Sequence, residues 1–304
     1  MPELVSVVMP TYNQAGFIAQ AIRSVLDQTY SKLELLVVDN HSDDGTAELV
    51  KGFMAEDPRV RHLLIRNDGV VAKSRNLGIR EAKGDWVAFL DSDDYWFDEK
   101  LSRVLQCASE FPEAELICTD FLVRDMDTES EERGYAGPYT DYLDLLLRGN
   151  SLSTSDTVVK TGKALEAGLF SEDPRYVVNE DYEFWLRLSR CAKIHYLHEA
   201  LSVYRVHGDN LSRGIRRQTD SELCVLEDHF RGLADRGILM ALKCRARRSS
   251  VLRGASLRYV GIGEYGDSLN CAWRAMVAAP HSFKNWLLPP ALAWGLLSKR
   301  LGRG

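Results

Sequence analysis

The chain has 304 residues, of which 45% are hydrophobic and 27% charged, as is typical of a globular protein with a full-size core. Its formal net charge of −6 argues against a nucleic-acid partner, because such proteins usually carry a basic surface. The six cysteines are scattered without a CxxC pair, which predicts reduced thiols in a cytoplasmic protein rather than a disulfide framework or zinc site. We expect no signal peptide before the first strand and no segment that spans a bilayer.

Strands and helices alternate through the first 124 residues, which predicts βαβ units and a parallel sheet. The predicted strands are 5–9, 33–38, 60–65, 86–91 and 116–123, and the predicted helices are 17–26, 46–54, 71–82 and 99–111. Ligands bind such sheets at the carboxyl ends of the strands. Three strands end in residues suited to binding, namely Pro10 to Asn13, Asp39 with Asn40, and Asp91 to Asp94.

The strand at 86–91 leads into an acidic turn, Asp91-Ser92-Asp93-Asp94. Like charges crowded in this way are unfavourable unless a cation or ligand neutralises them. Carboxylate oxygens at this edge of a sheet suit a divalent metal and a phosphorylated ligand. An acidic turn that caps the next helix is the alternative, and the run alone does not decide between the two.

Beyond residue 124 the alternation ends. The patterns predict a polar loop at 125–138, a helix at 140–147, an edge strand at 156–160, a helix at 180–190, and strands at 194–197 and 201–206. From residue 214 the pattern is helical, and residues 259–280 resemble one tetratricopeptide-like hairpin, which we expect to pack on the main domain. One predicted apolar stripe consists of Tyr265, Leu269, Ala272, Trp273 and Met276.

Taken in order, six segments resemble the motifs of glycosyltransferase family 2, over roughly residues 4–213. They are Val5 to Asn13, Leu35 to Thr46 (with Asn40-His41 in place of a commoner Asp or Gly), Arg75-Asn76-Leu77-Gly78, the DxD-like Phe89 to Asp94, Asn179 to Leu188, and Tyr204 to His207. Each motif alone is weak, and their order and spacing carry the match.

The resemblance implies an α/β fold of the GT-A type, with a Rossmann-like, mixed, mostly parallel sheet flanked by helices and a C-terminal helical extension. The corresponding domains are a catalytic domain at 1–213 and the extension at 214–304. Within the catalytic domain, we expect a nucleotide-binding half at about 1–124 and an acceptor-binding half at about 125–213.

The resemblance also assigns the donor side of the site. It implies that Asp93 and His207 are metal ligands for Mn²⁺ or Mg²⁺, and that Asp91 faces the ribose or a metal-bound water. The residues it implies for nucleotide-sugar binding are Pro10, Thr11, Tyr12, Asn13, Asp39, Arg75, Asp91 and Ser92.

Several of these donor-side residues have simpler explanations. Asp39 and Asp94 could cap helices, Tyr12 could pack instead of stacking on the base, and Arg75 could form a surface ion pair. A lone histidine such as His207 is usually structural or on the surface.

On the acceptor side, the resemblance selects Asp181 as the catalytic base that takes the proton of the acceptor hydroxyl. Glu180 and Trp185 are implied to bind the acceptor. Because Glu180 and Asp181 open a predicted helix, favourable charge at the helix N-terminus is the alternative. A single base without an obvious second nucleophile predicts direct displacement with inversion at the anomeric carbon.

The leading hypothesis is therefore an inverting, metal-dependent glycosyltransferase of hexosyltransferase type. We expect it to transfer a sugar from a nucleotide-sugar, most simply a UDP-sugar, to a saccharide or lipid-linked acceptor. This reaction would serve the synthesis of cell-surface polysaccharide or glycolipid. A sugar nucleotidyltransferase would want a basic, Gly-rich loop after strand one, whereas the loop from Thr11 to Gly16 has no Lys or Arg. A non-catalytic scaffold would be expected to lack an acid at Asp93 or Asp181.

The last segment, 282–304, combines Trp, Leu and basic residues and is interrupted by Pro289-Pro290. It is too short to span a bilayer but suits a peripheral contact at the inner face of the membrane. Packing on the enzyme or on a second subunit, as in a homodimer, is the alternative.

Overall fold

The computed structural model describes residues 3–208 and 214–286. These residues fall into two compact units, one formed by 3–145 and 149–208 and the other by 146–148 and 214–286. The membrane or subunit contact predicted at 282–304 lies outside the described residues from position 287 onward.

The first unit is built on one nine-stranded sheet. Its strands in chain order are β1 (Val5–Thr11), β2 (Leu33–Asp39), β3 (Val60–Leu64), β4 (Trp86–Phe89), β5 (Tyr95–Trp96), β6 (Leu116–Asp125), β7 (Glu131–Gly134), β8 (Thr157–Lys160) and β9 (Ile194–Val206). The spatial order is β3-β2-β1-β4-β8-β6-β9-β5, and β7 pairs with β6. Strands β1, β2 and β4 are buried along their whole length, as expected for strands covered on both faces.

Seven α-helices connect or flank these strands. They are α1 (Ile18–Leu26), α2 (Thr46–Glu56), α3 (Val71–Glu81), α4 (Lys100–Glu110), α5 (Tyr142–Arg148), α6 (Thr161–Glu166) and α7 (Glu180–Leu188). The α1 residues Ile18, Ala21, Ile22 and Val25 lie in one core cluster with residues of β1 and β2. This spacing buries one helix face against the sheet, which is why the predicted helix forms here.

The sheet is mixed, because the four strands β3, β2, β1 and β4 are parallel whereas β8 runs antiparallel to both of its neighbours. The prediction that 156–160 forms an edge strand is therefore wrong. Strand β8 lies between β4 and β6, and its Val158 and Val159 are fully buried. Two adjacent buried valines indicate a strand covered on both faces, which an edge strand would not need.

Two other predictions differ from the structure. The stretch predicted as a polar loop at 125–138 contains β7, which pairs antiparallel with β6 from Phe121↔Gly134 to Arg124↔Glu131. The strands predicted at 194–197 and 201–206 form the single strand β9, whose pairing with β6 shifts register near Asp120. The bulge there explains why the apolar pattern is interrupted in the middle of a continuous strand.

The second unit is helical. Its α-helices after residue 213 are α8 (Ile215–Phe230), α9 (Ile238–Ile262), α10 (Tyr265–Ala278) and α11 (Phe283–Trp286). The buried Asn285 joins three of them, since its amide donates to the carbonyls of Ala275 and Ala279 and accepts from Ser249. Among the described helices, none combines the length and apolarity required to cross a bilayer.

The prediction that the apolar stripe of α10 faces the core is wrong. Leu269 and Trp273 are exposed, whereas the buried residues of this helix are the small Ser268, Cys271, Ala272 and Ala275. Ser256 on α9 and Ser268 on α10 exchange hydrogen bonds of 2.8 and 2.9 Å. Close helix approach favours small side chains at the contact, so the large residues face outward.

Candidate active site

Three βα loops meet at the carboxyl edge of the parallel strands and are joined by side-chain hydrogen bonds. The backbone N–H of Asn13, after β1, donates to Ser42 Oγ at 2.9 Å, and Asn13 Oδ1 accepts from the N–H of Asp43 at 3.0 Å. The N–H of Asn67, after β3, donates to Asn40 Oδ1 at 2.9 Å. These bonds form a preorganised polar edge where the sequence predicted nucleotide binding.

Asp39 is fully buried at the end of β2. Its Oδ1 accepts from the N–H and hydroxyl of Ser42, at 2.9 and 2.7 Å, and its Oδ2 lies 3.3 Å from Nε2 of His62. Burial opposes ionisation of Asp39, but these hydrogen bonds outweigh it and lower the pKa of the carboxyl. Asp39 thus organises the loop after β2, and a contact with a base or ribose would require this arrangement to open.

The residues at the end of β1 and just after it differ in exposure. Pro10 and Thr11 are buried, and Thr11 Oγ1 has no hydrogen-bond partner within residues 3–208 and 214–286. A buried hydroxyl without a partner is costly, so it suits a position that a ligand completes. Tyr12 is 54% exposed, which leaves its ring available for stacking.

The acidic turn after β4 uses Asp94 as a structural anchor. Asp94 is fully buried, its Oδ2 accepts from Ser155 Oγ at 2.5 Å, and its Oδ1 accepts from the N–H of Arg205 at 3.0 Å. Burial, reinforced by the charges of Asp93 and Asp91, raises the pKa of Asp94 well above its ordinary value. Asp94 therefore fastens the turn to β9 and to the segment before β8, rather than capping a helix.

Asp93 of the acidic turn pairs with His207, which follows β9. His207 Nε2 lies 3.2 Å from Asp93 Oδ2, and the His207 ring stacks on Phe17 with centroids 4.6 Å apart. Burial and the charge of Asp91 raise the pKa of Asp93, while His207 lowers it. A divalent cation would relieve this repulsion, and carboxylate oxygen and imidazole nitrogen are both suitable ligands.

The described part of the chain gathers no cluster of three or more His, Cys, Asp or Glu side chains that could hold a metal by themselves. Mg²⁺ in phosphate-transfer sites is commonly bound through one or two protein carboxylates together with substrate phosphates. The Asp93–His207 pair fits that kind of shared site, since it leaves most of the coordination to the ligand. Ser92, predicted to bind the donor, is buried between Asp91 and Asp93.

Arg75 on α3 joins the acidic turn to the start of α7. Its Nη2 donates to Asp91 Oδ1 at 2.7 Å and its Nη1 donates to Glu180 Oε1 at 2.6 Å. Burial disfavours the charge on Arg75, but the two carboxylates outweigh it and raise the pKa of the guanidinium. Arg75 is buried, which rules out the surface ion pair considered from the sequence.

Asp181 lies in the first turn of α7 and is partly buried. Its Oδ1 accepts from the N–H of Tyr182 at 2.7 Å, and its Oδ2 accepts from Asn150 Nδ2 at 3.3 Å. Burial and the charge of Glu180 raise its pKa to about 7, against the lowering effect of Arg75. A carboxyl with a pKa near neutrality can exchange protons at physiological pH, as a general base must.

The other two acceptor-side residues do not face a cleft. Glu180 Oε1 is bound to Arg75 and its Oε2 accepts from the N–H of Val178 at 2.8 Å. Trp185 is fully buried, with its ring 6.0 Å from that of Phe89. This burial argues against the acceptor contact predicted for Trp185, and both carboxylate oxygens of Glu180 already have partners.

The sequence analysis missed two residues that shape the site. Ser155 donates to Asp94 and accepts from the N–H of Asp91 at 3.1 Å, so it fixes both ends of the acidic turn. Asn150 contacts Asp181. A mostly polar stretch from Asn150 to Ser155, interrupted only by Leu152 and lying shortly before β8, is the signal that could have indicated them.

Comparison with known proteins gives the family. Residues 6–159, half of the chain, match the profile described as glycosyl transferase family 2. The chain is 31% identical over 208 residues to an uncharacterized glycosyltransferase of Rickettsia bellii, a match that covers 68% of this chain and 29% of that protein. It is 28% identical over 222 residues to Escherichia coli WfaP, named UDP-Glc:alpha-D-GlcNAc-diphosphoundecaprenol beta-1,3-glucosyltransferase, covering 69% of this chain and 80% of WfaP.

Among solved structures, S. aureus TarS 1–349 in complex with UDP-GlcNAc superposes with a TM-score of 0.66 at 20% sequence identity. The superposition covers 97% of this chain and 87% of the TarS chain. At this identity the likeness concerns the fold, and it confirms the mixed, mostly parallel GT-A architecture predicted from the motifs. The chain belongs to glycosyl transferase family 2.

Proposed function

We propose that this protein is an inverting glycosyltransferase that moves a hexose from a UDP-sugar to an acceptor hydroxyl. The observation that carries the proposal is Asp181, a partly buried carboxyl with a pKa of about 7. Its neighbour Glu180 is connected through Arg75 to Asp91 of the acidic turn. The candidate base therefore lies beside a network that reaches the acidic turn, which supports a site that holds two substrates in a fixed geometry.

In this reaction Asp181 accepts the proton of the acceptor hydroxyl as the oxygen attacks the anomeric carbon. The new bond from carbon to acceptor oxygen forms while the bond to the nucleoside diphosphate breaks, and the diphosphate leaves with the bonding electrons. One displacement of this kind inverts the anomeric centre. Asn150 and the N–H of Tyr182 orient the carboxylate during the proton transfer.

The donor would lie along the loops after β1 and β2. Tyr12 would stack on the base, and Thr11 would supply its unpartnered hydroxyl. Pro10, Asn13, Asp39 and Ser92 would shape the same edge. The name of E. coli WfaP specifies UDP-Glc, and the S. aureus TarS structure contains UDP-GlcNAc, which supports a UDP-sugar for this chain.

We further propose that Asp93 and His207 hold Mn²⁺ or Mg²⁺ together with the donor diphosphate. The ion, when bound, would neutralise charge on the leaving diphosphate. Arg75 binds Asp91 at the start of the acidic turn, and Asp94 at its end binds the N–H of Arg205 in β9.

The name of one relative supports an acceptor class for this chain. WfaP is named for an acceptor carried on diphosphoundecaprenol, which supports a saccharide on a lipid carrier as the acceptor of this chain. We propose a role in the synthesis of cell-surface polysaccharide or glycolipid at the inner face of the membrane, with segment 282–304 contributing a peripheral membrane contact or a homodimer contact.

A panel of nucleotide-sugars, titrated by calorimetry with and without Mn²⁺, tests the donor and metal assignments. We expect one UDP-sugar to bind, and its binding to weaken strongly on chelation or in Asp93→Ala. Asp98→Ala is the matched control, because Asp98 is exposed and follows the same turn. Equal affinity with and without divalent metal would remove Asp93 and His207 from the metal site.

A further inference from the structure

A row of large apolar side chains faces outward from the second unit. Leu269, Trp273 and Val277 are 52%, 64% and 63% exposed and follow each other at four-residue intervals on α10. Residues at this spacing share one helix face. Phe283 on α11 is 73% exposed. We call Leu269, Trp273, Val277 and Phe283 the outer stripe.

The fold of the second unit does not use these side chains. The inner face of α10 packs through Ser268, Cys271, Ala272 and Ala275, and Ser268 is hydrogen-bonded to Ser256 of α9. A helix that packs through small residues and exposes its largest ones has the reverse of the usual pattern for a globular surface. Such a face is typical of a protein that binds an apolar partner or a membrane interface.

Charge identifies the partner. Residues 214–304 contain 15 Lys and Arg against 7 Asp and Glu, whereas residues 1–213 contain 23 against 37. Helix α9 has six basic residues and no acidic one, and two of the six, Arg248 and the buried Arg247, are paired with Glu227 and Glu222. Arg274 follows Trp273 and Lys284 follows Phe283, and both are exposed without an ion pair to any residue in 3–208 or 214–286. The stripe is thus accompanied by positive charge.

Three occupants could cover the outer stripe: a second copy of this chain, residues 287–304 of the same chain, or an anionic bilayer. A second copy would bring the same basic surface against itself. Residues 287–304 contain Lys299, Arg300 and Arg303 and no acidic residue, so they would also add like charge. An anionic bilayer presents the complementary sign over its whole surface, whereas a second copy would do so only through the acidic residues of its first unit.

We propose that the outer stripe inserts into the interface of an anionic membrane, with Arg274 and Lys284 contacting lipid phosphates. Tryptophan at the centre of an apolar stripe, flanked by basic residues, is the composition that binds at the headgroup level. The proposal extends the membrane contact of segment 282–304 to described residues, and it does not depend on which sugar is transferred.

The test is co-sedimentation of the full chain with vesicles of phosphatidylcholine alone or mixed with phosphatidylglycerol, at low salt. We expect binding to the mixed vesicles only, and a loss of about tenfold or more in partition coefficient in L269Q/W273Q/V277Q. Glutamine keeps the helix, and these exposed positions are not part of the core. L165Q in the first unit is the matched control, because Leu165 is half exposed and lies on α6.

Transfer to a water-soluble acceptor should be unchanged in the triple variant, so failure of this proposal is distinguishable from failure of the proposed function. Sedimentation velocity in the absence of vesicles distinguishes the remaining occupants. Wild-type vesicle binding in the triple variant would overturn the proposal. A dimer that becomes monomeric in the triple variant, with vesicle binding retained, would assign the stripe to a second copy.

Discussion

The side chains of the candidate site form a chain of contacts rather than a set of independent ligands. Asp91 binds Arg75, Arg75 binds Glu180, and the charge of Glu180 raises the pKa of Asp181. The negative charge of Glu180 therefore acts on its neighbour Asp181. The protonation state of Asp181, the proposed base, therefore depends on the ion pair between Glu180 and Arg75, which also binds Asp91 of the acidic turn.

The pH dependence of transfer follows from this arrangement. Asp181 must be ionised to accept a proton, and its pKa is raised to about 7 by burial and by Glu180. The rate should therefore be lost as pH falls through about 7, by about tenfold per pH unit. In Glu180→Gln the carboxyl loses its negative neighbour, so the loss should occur at lower pH. A pH–rate profile of kcat that is flat from pH 5 upward would contradict this.

Arg75 should contribute far more to the free energy of unfolding than Arg80, which lies on the same helix α3. Removing Arg75 leaves Asp91 and Glu180 without their shared partner, and breaking a buried pair costs about 3–5 kcal/mol. Arg75→Met should lower the free energy of unfolding by that amount in urea titration. Arg80→Met is the control, because Arg80 is exposed and 3.9 Å from Glu172, and such pairs contribute about 0–1 kcal/mol. Equal losses in the two variants would refute the bridging role.

At the scale of elements, the entry into β4 depends on a close approach of two backbone segments. A Cβ at Gly84 would lie 2.6 Å from both Leu4 O and Ser6 N, and the N–H of Gly84 donates to Ser6 Oγ at 2.8 Å. These contacts fix the strand that leads to the acidic turn.

Gly84→Ala should destabilise the protein by about 1–3 kcal/mol, because the backbone atoms facing the new methyl group cannot move independently. Gly52→Ala should have the opposite effect, because Gly52 lies in α2 and an added methyl group there would meet no atom beyond its own helix within 4 Å. That change should stabilise the protein by about 0.5–1 kcal/mol through helix propensity. Thermal unfolding of both variants measures the difference, and a stable Gly84→Ala protein would show that the strand entry tolerates displacement.

The elements also show where sequence reasoning succeeds. Most strand and helix positions in residues 5–111 follow from apolar periodicity, because strands and helices alternate from β1 to β4. The two-residue strand β5 is too short to give such a pattern and was not predicted. The antiparallel insertion of β8 could not be predicted in this way, since periodicity does not specify which strand is the neighbour. The acceptor contact predicted for Trp185 meets a related difficulty, because seven of the nine α7 residues are buried and the pattern does not reveal which of them reach a ligand.

At the scale of the whole molecule, the family motifs predicted the fold class and the family, and both are confirmed. Acidic and polar residues at strand ends could be found because parallel strands bring their carboxyl ends to one edge. The pairing of those residues could not be predicted, because Arg75, Ser155 and Arg205 reach the turn from three separate segments. Long-range contacts of this kind decide which acids are anchors, such as Asp94, and which remain candidates for ligands.

The central claim is that Asp181 is the base of a sugar transfer from a nucleotide donor. Asp181→Asn keeps the size of the side chain and removes its basicity, and Asp141→Asn is the control, because asparagine also caps α5 well. Single-turnover transfer with the preferred donor should fall by about 10²–10⁴-fold in Asp181→Asn while the donor Kd stays at the wild-type value. Transfer by Asp181→Asn at the wild-type rate would contradict the account.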